Sequence, residues 1–136
     1  MIVLDCSAAV HIAQRTLEGN ALRSLIVTTD VIISSELLFI ESASTYAKYV
    51  RSGAFDENTA QKYLQATVSL VERFVPIQEN YLEAFHESLR LNHSVYDMLY
   101  LTLARRNAAT LATFDAKLRA LCEQQGVDCI HLIDYS

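Results

Sequence analysis

Short apolar runs alternate along the chain with longer segments in which apolar side chains recur every three or four residues. The short runs are typical of strands buried in a parallel sheet, and the longer segments are typical of helices. The short runs predict strands over residues 1–4, 31–33, 74–77, 110–113 and 128–132. The periodic segments predict helices over residues 7–15, 20–26, 35–51, 57–74, 79–91, 94–106 and 115–124. We therefore expect an α/β fold in which helices cover both faces of a mostly parallel sheet.

Two of these segments have a predictable place in the fold. Pro76 cannot donate a hydrogen bond to a neighbouring strand, so we expect the strand 74–77 at an edge of the sheet. The helix 94–106 is apolar on most of its sides, so we expect it to be buried. The whole chain, residues 1–136, is expected to form one domain, because that length can bury a core without disulfides or metals.

Composition narrows the class of protein. Apolar residues make up 51% of the chain, and it contains only three glycines and one proline, which excludes collagen-like and Gly/Pro-rich disordered chains. No apolar run is long enough to cross a membrane and no signal-peptide pattern is present, so we expect a cytoplasmic protein without membrane association. The three cysteines form no CxxC pair, which disfavours a disulfide framework or a thiolate zinc site. The net charge of −5 argues against non-specific binding of nucleic acid, unless the acids are gathered at one metal site.

Four acidic residues occupy positions where a carboxylate can carry chemistry. Ligands of open parallel sheets bind beyond the carboxyl ends of the strands, and Asp5 and Asp115 follow two of the predicted strands. Asp97 stands at the head of an apolar helix, where an unpaired charge would be costly. Glu41 borders an apolar stripe of the helix 35–51, so we expect it to point inward or towards the sheet edge. That stripe consists of Ile40, Ala43, Ala47 and Val50.

Each of these acids also has a purely structural explanation. Asp5 and Asp115 can cap the helices that follow them. Asp97 completes the capping-box pattern Ser-Val-Tyr-Asp, and Glu41 can be a half-exposed helix residue. The four histidines show no ligand spacing, and we interpret them as structural or solvent-facing. They are His11, His86, His93 and His131.

The acids lie in four segments that together resemble the PIN-domain ribonucleases, and among them the VapC-like toxins of toxin–antitoxin pairs. Residues 3–7 (Val-Leu-Asp-Cys-Ser) are similar to that family's apolar run followed by Asp-x-Ser, and residues 35–41 match its segment with a helical Glu. Residues 96–104 resemble its Asp-x-x-Tyr-x-x-x-Ala helix, and residues 111–118 resemble its Thr-x-Asp strand end. The segments occur in the family's order and span nearly the whole chain.

The resemblance implies a three-layer α/β/α sandwich around a mostly parallel sheet of about five strands. It also implies a ribonuclease that depends on Mg²⁺, for which Mn²⁺ can substitute. A set of carboxylates fits this metal, because Mg²⁺ prefers oxygen ligands. The catalytic and metal-binding acids would be Asp5, Glu41, Asp97 and Asp115, with Ser7 and Thr113 as accessory hydroxyls. The expected partners are an RNA substrate, a small antitoxin protein and a second copy of the chain in a homodimer. We expect the antitoxin and dimer contacts on the helices between residues 35 and 74.

Among the acids, Asp5 and Asp97 are expected as principal ligands, and Asp115 as a direct or water-mediated ligand. Glu41 would hold a second ion or orient the attacking water. A catalytically idle PIN-like module that binds RNA or protein is an alternative, against which the complete set of acids argues. A phospho-acceptor domain is a further alternative, but it needs a second acid beside Asp5, where Cys6 stands, and a late lysine that residues 113–115 lack.

Overall fold

Residues 1–130 are described by the structure, a computed structural model, and form a parallel sheet with helices on both faces. The strands are β1 (Ile2–Leu4), β2 (Ile32–Ser35), β3 (Arg73–Val75) and β4 (Thr110–Ala112). They lie in the spatial order β3-β2-β1-β4, and every neighbouring pair is parallel. The helices are α1 (Cys6–Gln14), α2 (Leu17–Leu25), α3 (Leu37–Arg51), α4 (Glu57–Ser69), α5 (Tyr81–Leu91), α6 (Val95–Arg106) and α7 (Ala116–Gln124). A single 3₁₀ turn, Ile77–Glu79, precedes α5.

The central strand β1 divides the core into two layers, because successive side chains of a strand point to opposite faces. Val3 packs on one face with residues of α5, α6 and α7, and Ile2 and Leu4 pack on the other face with residues of α1 and α2. Helix α6 contacts β1, β2 and β4, and its residues 98–104 are all buried. The predicted α/β/α sandwich and the predicted burial of α6 are confirmed.

Two predicted elements differ from the observed ones in extent. The helix predicted over residues 57–74 ends at Ser69, because the Glu72 N–H donates to the Ile32 carbonyl and β3 begins to pair with β2. The described sheet has four strands rather than about five. In the predicted strand 128–132, Cys129 forms an isolated parallel bridge with Leu111, and residues 131 and 132 lie outside the described residues. The predicted position of β3 at the sheet edge is correct.

The register of the sheet sets up one end of the molecule. Leu4 pairs with Ala112, so the next residues, Asp5 and Thr113, leave adjacent parallel strands side by side. The backbone N–H of Asp5 continues this pairing by donating to the Ala112 carbonyl at 3.2 Å. Since all four strands run in one direction, the loops after β1, β2 and β4 meet at the same edge. In residues 1–130, no helix combines the length and apolarity that a membrane crossing requires.

Candidate active site

Asp5 lies directly after β1, and hydrogen-bond donors reach both of its carboxylate oxygens. Oδ1 accepts from the Ser7 hydroxyl at 2.8 Å and from the backbone N–H of Ala8 at 2.9 Å, so Asp5 does cap α1. Oδ2 accepts from the Thr113 hydroxyl, which follows β4. Asp5 is only 4% exposed. Asp5 is therefore both the cap of α1 and a member of a buried cluster of polar side chains.

The same two hydroxyls connect Asp5 to the loop that follows β4. The oxygen of Thr113 accepts from the backbone N–H of Asp115 at 3.0 Å, and the oxygen of Ser7 accepts from the N–H of Phe114 at 2.9 Å. Each hydroxyl therefore donates to the carboxylate and accepts from the backbone. This uses its single proton and fixes the direction of both bonds.

Glu41 is held by one hydrogen bond that crosses from α3 to α6. The Tyr100 hydroxyl donates to Oε1 of Glu41 at 2.7 Å. Tyr100 is 1% exposed, and burial together with the neighbouring Glu41 charge raises the pKa of its phenol. The phenol therefore keeps its proton at neutral pH and acts as a permanent donor to this half-buried carboxylate.

Asp97 lies in the first turn of α6 and is paired with a histidine. Nε2 of His93 is 2.8 Å from Oδ2 of Asp97, and the two side chains are 16% and 25% exposed. In the predicted capping box, the Ser94 hydroxyl would accept from the N–H of Asp97, three residues further on. It accepts instead from the N–H of Tyr96, so Ser94 caps α6 in a different way. Within the described residues, this histidine is the one side chain that hydrogen-bonds the Asp97 carboxylate.

Asp115 follows β4 by way of Thr113 and caps α7. Its Oδ1 accepts from the backbone N–H groups of Lys117 at 2.9 Å and Leu118 at 3.0 Å. Like Asp5, it combines a cap with a place at the carboxyl edge of the sheet. A negative charge is favourable at both helix N-termini because of the helix dipole.

All four acids line one open cavity of about 560 Å³ at this edge of the sheet. Its wall includes one lysine, one histidine and several hydroxyl and aromatic side chains. Among these lining residues are His11, Ser44, Thr45, Lys48, Tyr49 and Tyr96. The α3 side of the wall carries Lys48 and the α6 side carries Tyr96, so a basic group and an aromatic ring flank the acids.

The carboxylates lie close enough to affect one another. The pKa of Asp5 is raised from 3.8 to about 6, chiefly by burial and in small part by the Asp97 charge, against hydrogen bonds from Thr113, Ala8 and Ser7 that lower it. Burial also raises the pKa of Glu41, again with a contribution from Asp97 and against the bond from Tyr100. Carboxylates that converge on one cavity create a negative potential that attracts a cation.

The oxygen chemistry of this site suits a hard divalent cation that needs few protein ligands. Within residues 1–130, no three His, Cys, Asp or Glu side chains are arranged to hold an ion among them. Mg²⁺ does not require three, because it keeps several waters and commonly binds one or two carboxylates with substrate phosphate oxygens. Three carboxylate oxygens accept no hydrogen bond from the described part of the chain. They are Oε2 of Glu41, Oδ1 of Asp97 and Oδ2 of Asp115.

The structure thus brings together all four acids that the sequence singled out, with Ser7 and Thr113 at Asp5. It also adds two residues that the site prediction left out, Tyr100 and His93. Tyr100 was the tyrosine of the Asp-x-x-Tyr-x-x-x-Ala segment without an assigned role, and the i, i+4 spacing of His93 and Asp97 was a usable signal for a pair. The interpretation of His93 as a structural or solvent-facing residue stays a prediction, to which the structure adds the contact with Asp97. His131 lies outside the described residues.

The apolar stripe from which the position of Glu41 was inferred is not the most buried face of α3, since Ala43, Ala47 and Val50 are half-buried and Ile40 is exposed. Ile40 is 70% exposed, and the buried residues of this helix are Leu37, Leu38, Ser42 and Tyr46. The helix is rotated so that Tyr46 packs against α1 and α4, where its hydroxyl lies 2.8 Å from that of Thr67. Glu41 reaches the cavity from this rotated helix beside the exposed Ile40.

Comparison with known proteins gives one family and several solved structures. A family model described as PIN domain matches residues 2–124. PAE2754 from Pyrobaculum aerophilum has a TM-score of 0.68 and 21% identity, over 88% of this chain and 84% of that one. VapC20 of Mycobacterium tuberculosis, described as a sarcin-ricin loop cleaving toxin, has a TM-score of 0.63 and 15% identity, over 89% and 95% of the two chains.

A third solved structure is VapBC2 from Rickettsia felis, described as bound to a DNA fragment from its promoter. It has a TM-score of 0.69 and 17% identity, over 98% of this chain and 100% of that one. No curated protein matches the sequence significantly. At these identities the three structures establish a likeness of fold.

Proposed function

The chain belongs to the PIN domain family, and we propose that it is a metal-dependent ribonuclease that acts as the toxin of a toxin–antitoxin pair. The observation that carries this proposal is the convergence of Asp5, Glu41, Asp97 and Asp115 on one cavity. Most buried or half-buried acids are neutralised by a basic partner. Here Glu41, Asp5 and Asp115 are held by hydroxyl and backbone donors instead, and their charge remains available to a cation.

We assign the metal ligands from the donor set. Asp5 and Asp97 would be the principal ligands of Mg²⁺, which Mn²⁺ can replace, and Asp115 would bind directly or through water. Glu41 would hold a second ion or orient the attacking water. The hydrogen bonds to both oxygens of Asp5 do not prevent this, because a carboxylate offers about four lone-pair sites. Such an ion lowers the pKa of water and neutralises charge on phosphate oxygens.

The protein's own contribution is orientation and proton transfer. Ser7 and Thr113 fix the plane of the Asp5 carboxylate, and Tyr100 fixes that of Glu41. The raised pKa of Glu41 makes it a better proton acceptor than an exposed glutamate, which suits a general base acting on water. The free Oε2 of Glu41 is the atom that would take this proton.

The cavity wall supports RNA as the substrate. Lys48 is placed to pair with a phosphate, and Tyr49 and Tyr96 offer rings on which an unpaired base can stack. Tyr96 is 60% exposed beside Asp97, so its ring is accessible to a strand that enters the cavity. The solved relative from Mycobacterium tuberculosis is described as cleaving the sarcin-ricin loop.

We further propose that a small antitoxin blocks this cavity and that the chain forms a homodimer. The Rickettsia felis relative was solved as VapBC2, which supports a partner of the antitoxin class. Co-purification with the product of an adjacent small reading frame would test the first proposal. Light scattering of the partner-free chain would test the second, and a monomer at micromolar concentration would contradict it.

The proposed reaction is tested with a mixed-sequence RNA and the purified, partner-free chain in Mn²⁺ or Mg²⁺. We expect cleavage that is lost with EDTA and in Asp97→Asn. Asp128→Asn is the matched control, since Asp128 is exposed and does not line the cavity. Absence of cleavage together with absence of metal binding would overturn the proposal. Absence of cleavage with intact metal binding would indicate a target missing from the RNA mixture.

A further inference from the structure

We propose that His93 is a positioning residue, which orients the Asp97 carboxylate for a divalent cation. The inference rests on the proposed function, because it assigns to His93 a role towards the same ion. Its basis is the 2.8 Å contact between Nε2 of His93 and Oδ2 of Asp97. Oδ1 of Asp97 is left without a donor from residues 1–130.

His93 is itself held in place by the end of α5. Asn92 ends that helix in the left-handed conformation with φ of 51°, which turns the chain back towards it. The backbone N–H of His93 then donates to the Ser88 carbonyl at 3.1 Å, and the Ser88 hydroxyl donates to the His93 carbonyl at 2.5 Å. The imidazole therefore projects from a backbone that is held by α5, whereas Asp97 belongs to α6.

The chemistry of the pair determines the direction of the bond. An ionised Asp97 can only accept, so the proton of this contact lies on Nε2 of His93. The helix dipole does not account for the position of His93. The N-terminus of α6 is the positive end of the dipole, where a protonated imidazole would be unfavourable. Carboxylates that bind a metal are instead commonly held in orientation by a hydrogen bond from a neighbouring group, and His93 is placed to give one.

Asp97, like Glu41, has a single hydrogen-bond donor from the described residues, whereas Asp5 and Asp115 have several. Three donors hold Asp5, two backbone N–H groups hold Asp115, and a buried phenol holds Glu41. Within the described residues, His93 is the one group that hydrogen-bonds the Asp97 carboxylate. Without it the side chain, which is 25% exposed, can rotate, and an ion must then order it on binding.

A simpler role for the pair would be to brace the turn between α5 and α6. That role predicts a loss of stability in a His93 variant with no specific loss of metal affinity. The two helices are already joined by ion pairs of Glu83 and Glu87 with Arg105, at 2.6 and 3.1 Å. These contacts make the turn less dependent on His93, so the two roles can be separated by experiment.

The test measures binding of Mn²⁺ to the purified full chain by electron paramagnetic resonance of the free ion, alongside unfolding in urea. The variants are His93→Ala, His93→Gln and Asp97→Asn, with the exposed His86→Ala as the matched control. We expect His93→Ala to weaken Mn²⁺ binding about 10-fold, in the range known for partners of metal ligands. His93→Gln should recover much of this affinity, because its amide nitrogen can take the place of Nε2.

The outcomes separate the two proposals. Loss of binding in Asp97→Asn with unchanged affinity in His93→Ala overturns the role of His93 and leaves the proposed metal site standing. Equal loss in His93→Ala and His93→Gln, matched by equal loss of stability, also overturns it, because that is the behaviour of a structural brace. Unchanged binding in Asp97→Asn overturns the metal site itself. If His93→Ala does not fold, the comparison of His93→Gln with the wild type on binding and stability decides the question.

Discussion

The Tyr100 hydroxyl donates to Oε1 of Glu41 at 2.7 Å, and these two residues lie 59 positions apart in the chain. The bond joins the buried helix α6 to α3 at the floor of the cavity. It places a neutral, permanently protonated donor beneath a carboxylate whose charge the proposed reaction requires. Hydroxyls and backbone N–H groups likewise hold Asp5 and Asp115, whereas the hydrogen bond to Asp97 comes from His93.

Tyr100→Phe is expected to lower the rate of RNA cleavage strongly and the free energy of unfolding only slightly. The variant keeps the buried ring but removes the sole described donor to Glu41, so the carboxylate loses its orientation. We expect RNA cleavage to fall about 10-fold or more, by analogy with partners of metal ligands. The free energy of unfolding should change by about 1 kcal/mol, the usual worth of one hydrogen bond. Cleavage rates and urea unfolding measure both effects, and full activity in the variant would contradict the role of this bond.

Replacement of Thr113 separates its hydroxyl from its shape. In Thr113→Val the Asp5 carboxylate and the N–H of Asp115 both lose a partner in a buried place. We expect a loss of about 1–3 kcal/mol in unfolding free energy, the cost of buried polar groups without partners. Thr113→Ser retains the hydroxyl and should be milder. Urea unfolding of the two variants tests this, and a Thr113→Val protein as stable as Thr113→Ser would show that the hydroxyl is dispensable.

Metal binding should stabilise the folded chain. An ion that binds only the folded state adds about 2.7 kcal/mol at a concentration 100 times its Kd. We therefore expect Mn²⁺ or Mg²⁺ to raise the melting temperature by several degrees, and EDTA to reverse the change. Asp5→Asn should respond much less, whereas the exposed Asp128→Asn should respond as the wild type does. Thermal unfolding followed by circular dichroism measures this, and an unchanged melting curve in millimolar metal would count against the site.

Low pH should reduce the free energy of unfolding in part through Glu87, a residue of α5 that pairs with Arg105 of α6. Hydrogen bonds and charge from Arg90, and then from Arg105, lower the pKa of Glu87 from 4.5 to about 2. A carboxylate with a lowered folded-state pKa stabilises the fold above its unfolded pKa, and this stabilisation is lost as the pH falls from about 4.5 towards about 2.

Glu87→Gln isolates that contribution. At neutral pH the variant should be less stable than the wild type in urea, and the difference should shrink as the pH falls from about 4.5 towards about 2. The exposed Glu57→Gln on α4 serves as the matched control. A difference between wild type and Glu87→Gln that stays constant with pH would rule out this contribution.

The sequence by itself determined the class of fold and the identity of the four acids. Short apolar strands alternating with helices lead to a parallel sheet, and parallel strands end at one edge. Asp5 and Asp115 follow two such strands, so their proximity could be predicted from the sequence. The pattern also placed Asp97 at the head of a buried helix, since residues 98–104 are apolar apart from the hydroxyls of Tyr100 and Thr102.

Tertiary structure alone decided how each acid is held. The periodicity of apolar residues put Ile40 in the apolar stripe of α3, but in the folded chain Tyr46 is buried, Ile40 is exposed and Glu41 lines the cavity. Likewise the end of the helix predicted to reach residue 74 was set by pairing of β3 with β2. The contacts of Tyr100 with Glu41 and of His93 with Asp97 depend on such packing between elements. Local periodicity carries no information about the rotation of one helix against another, so these partners could be found only in the folded chain.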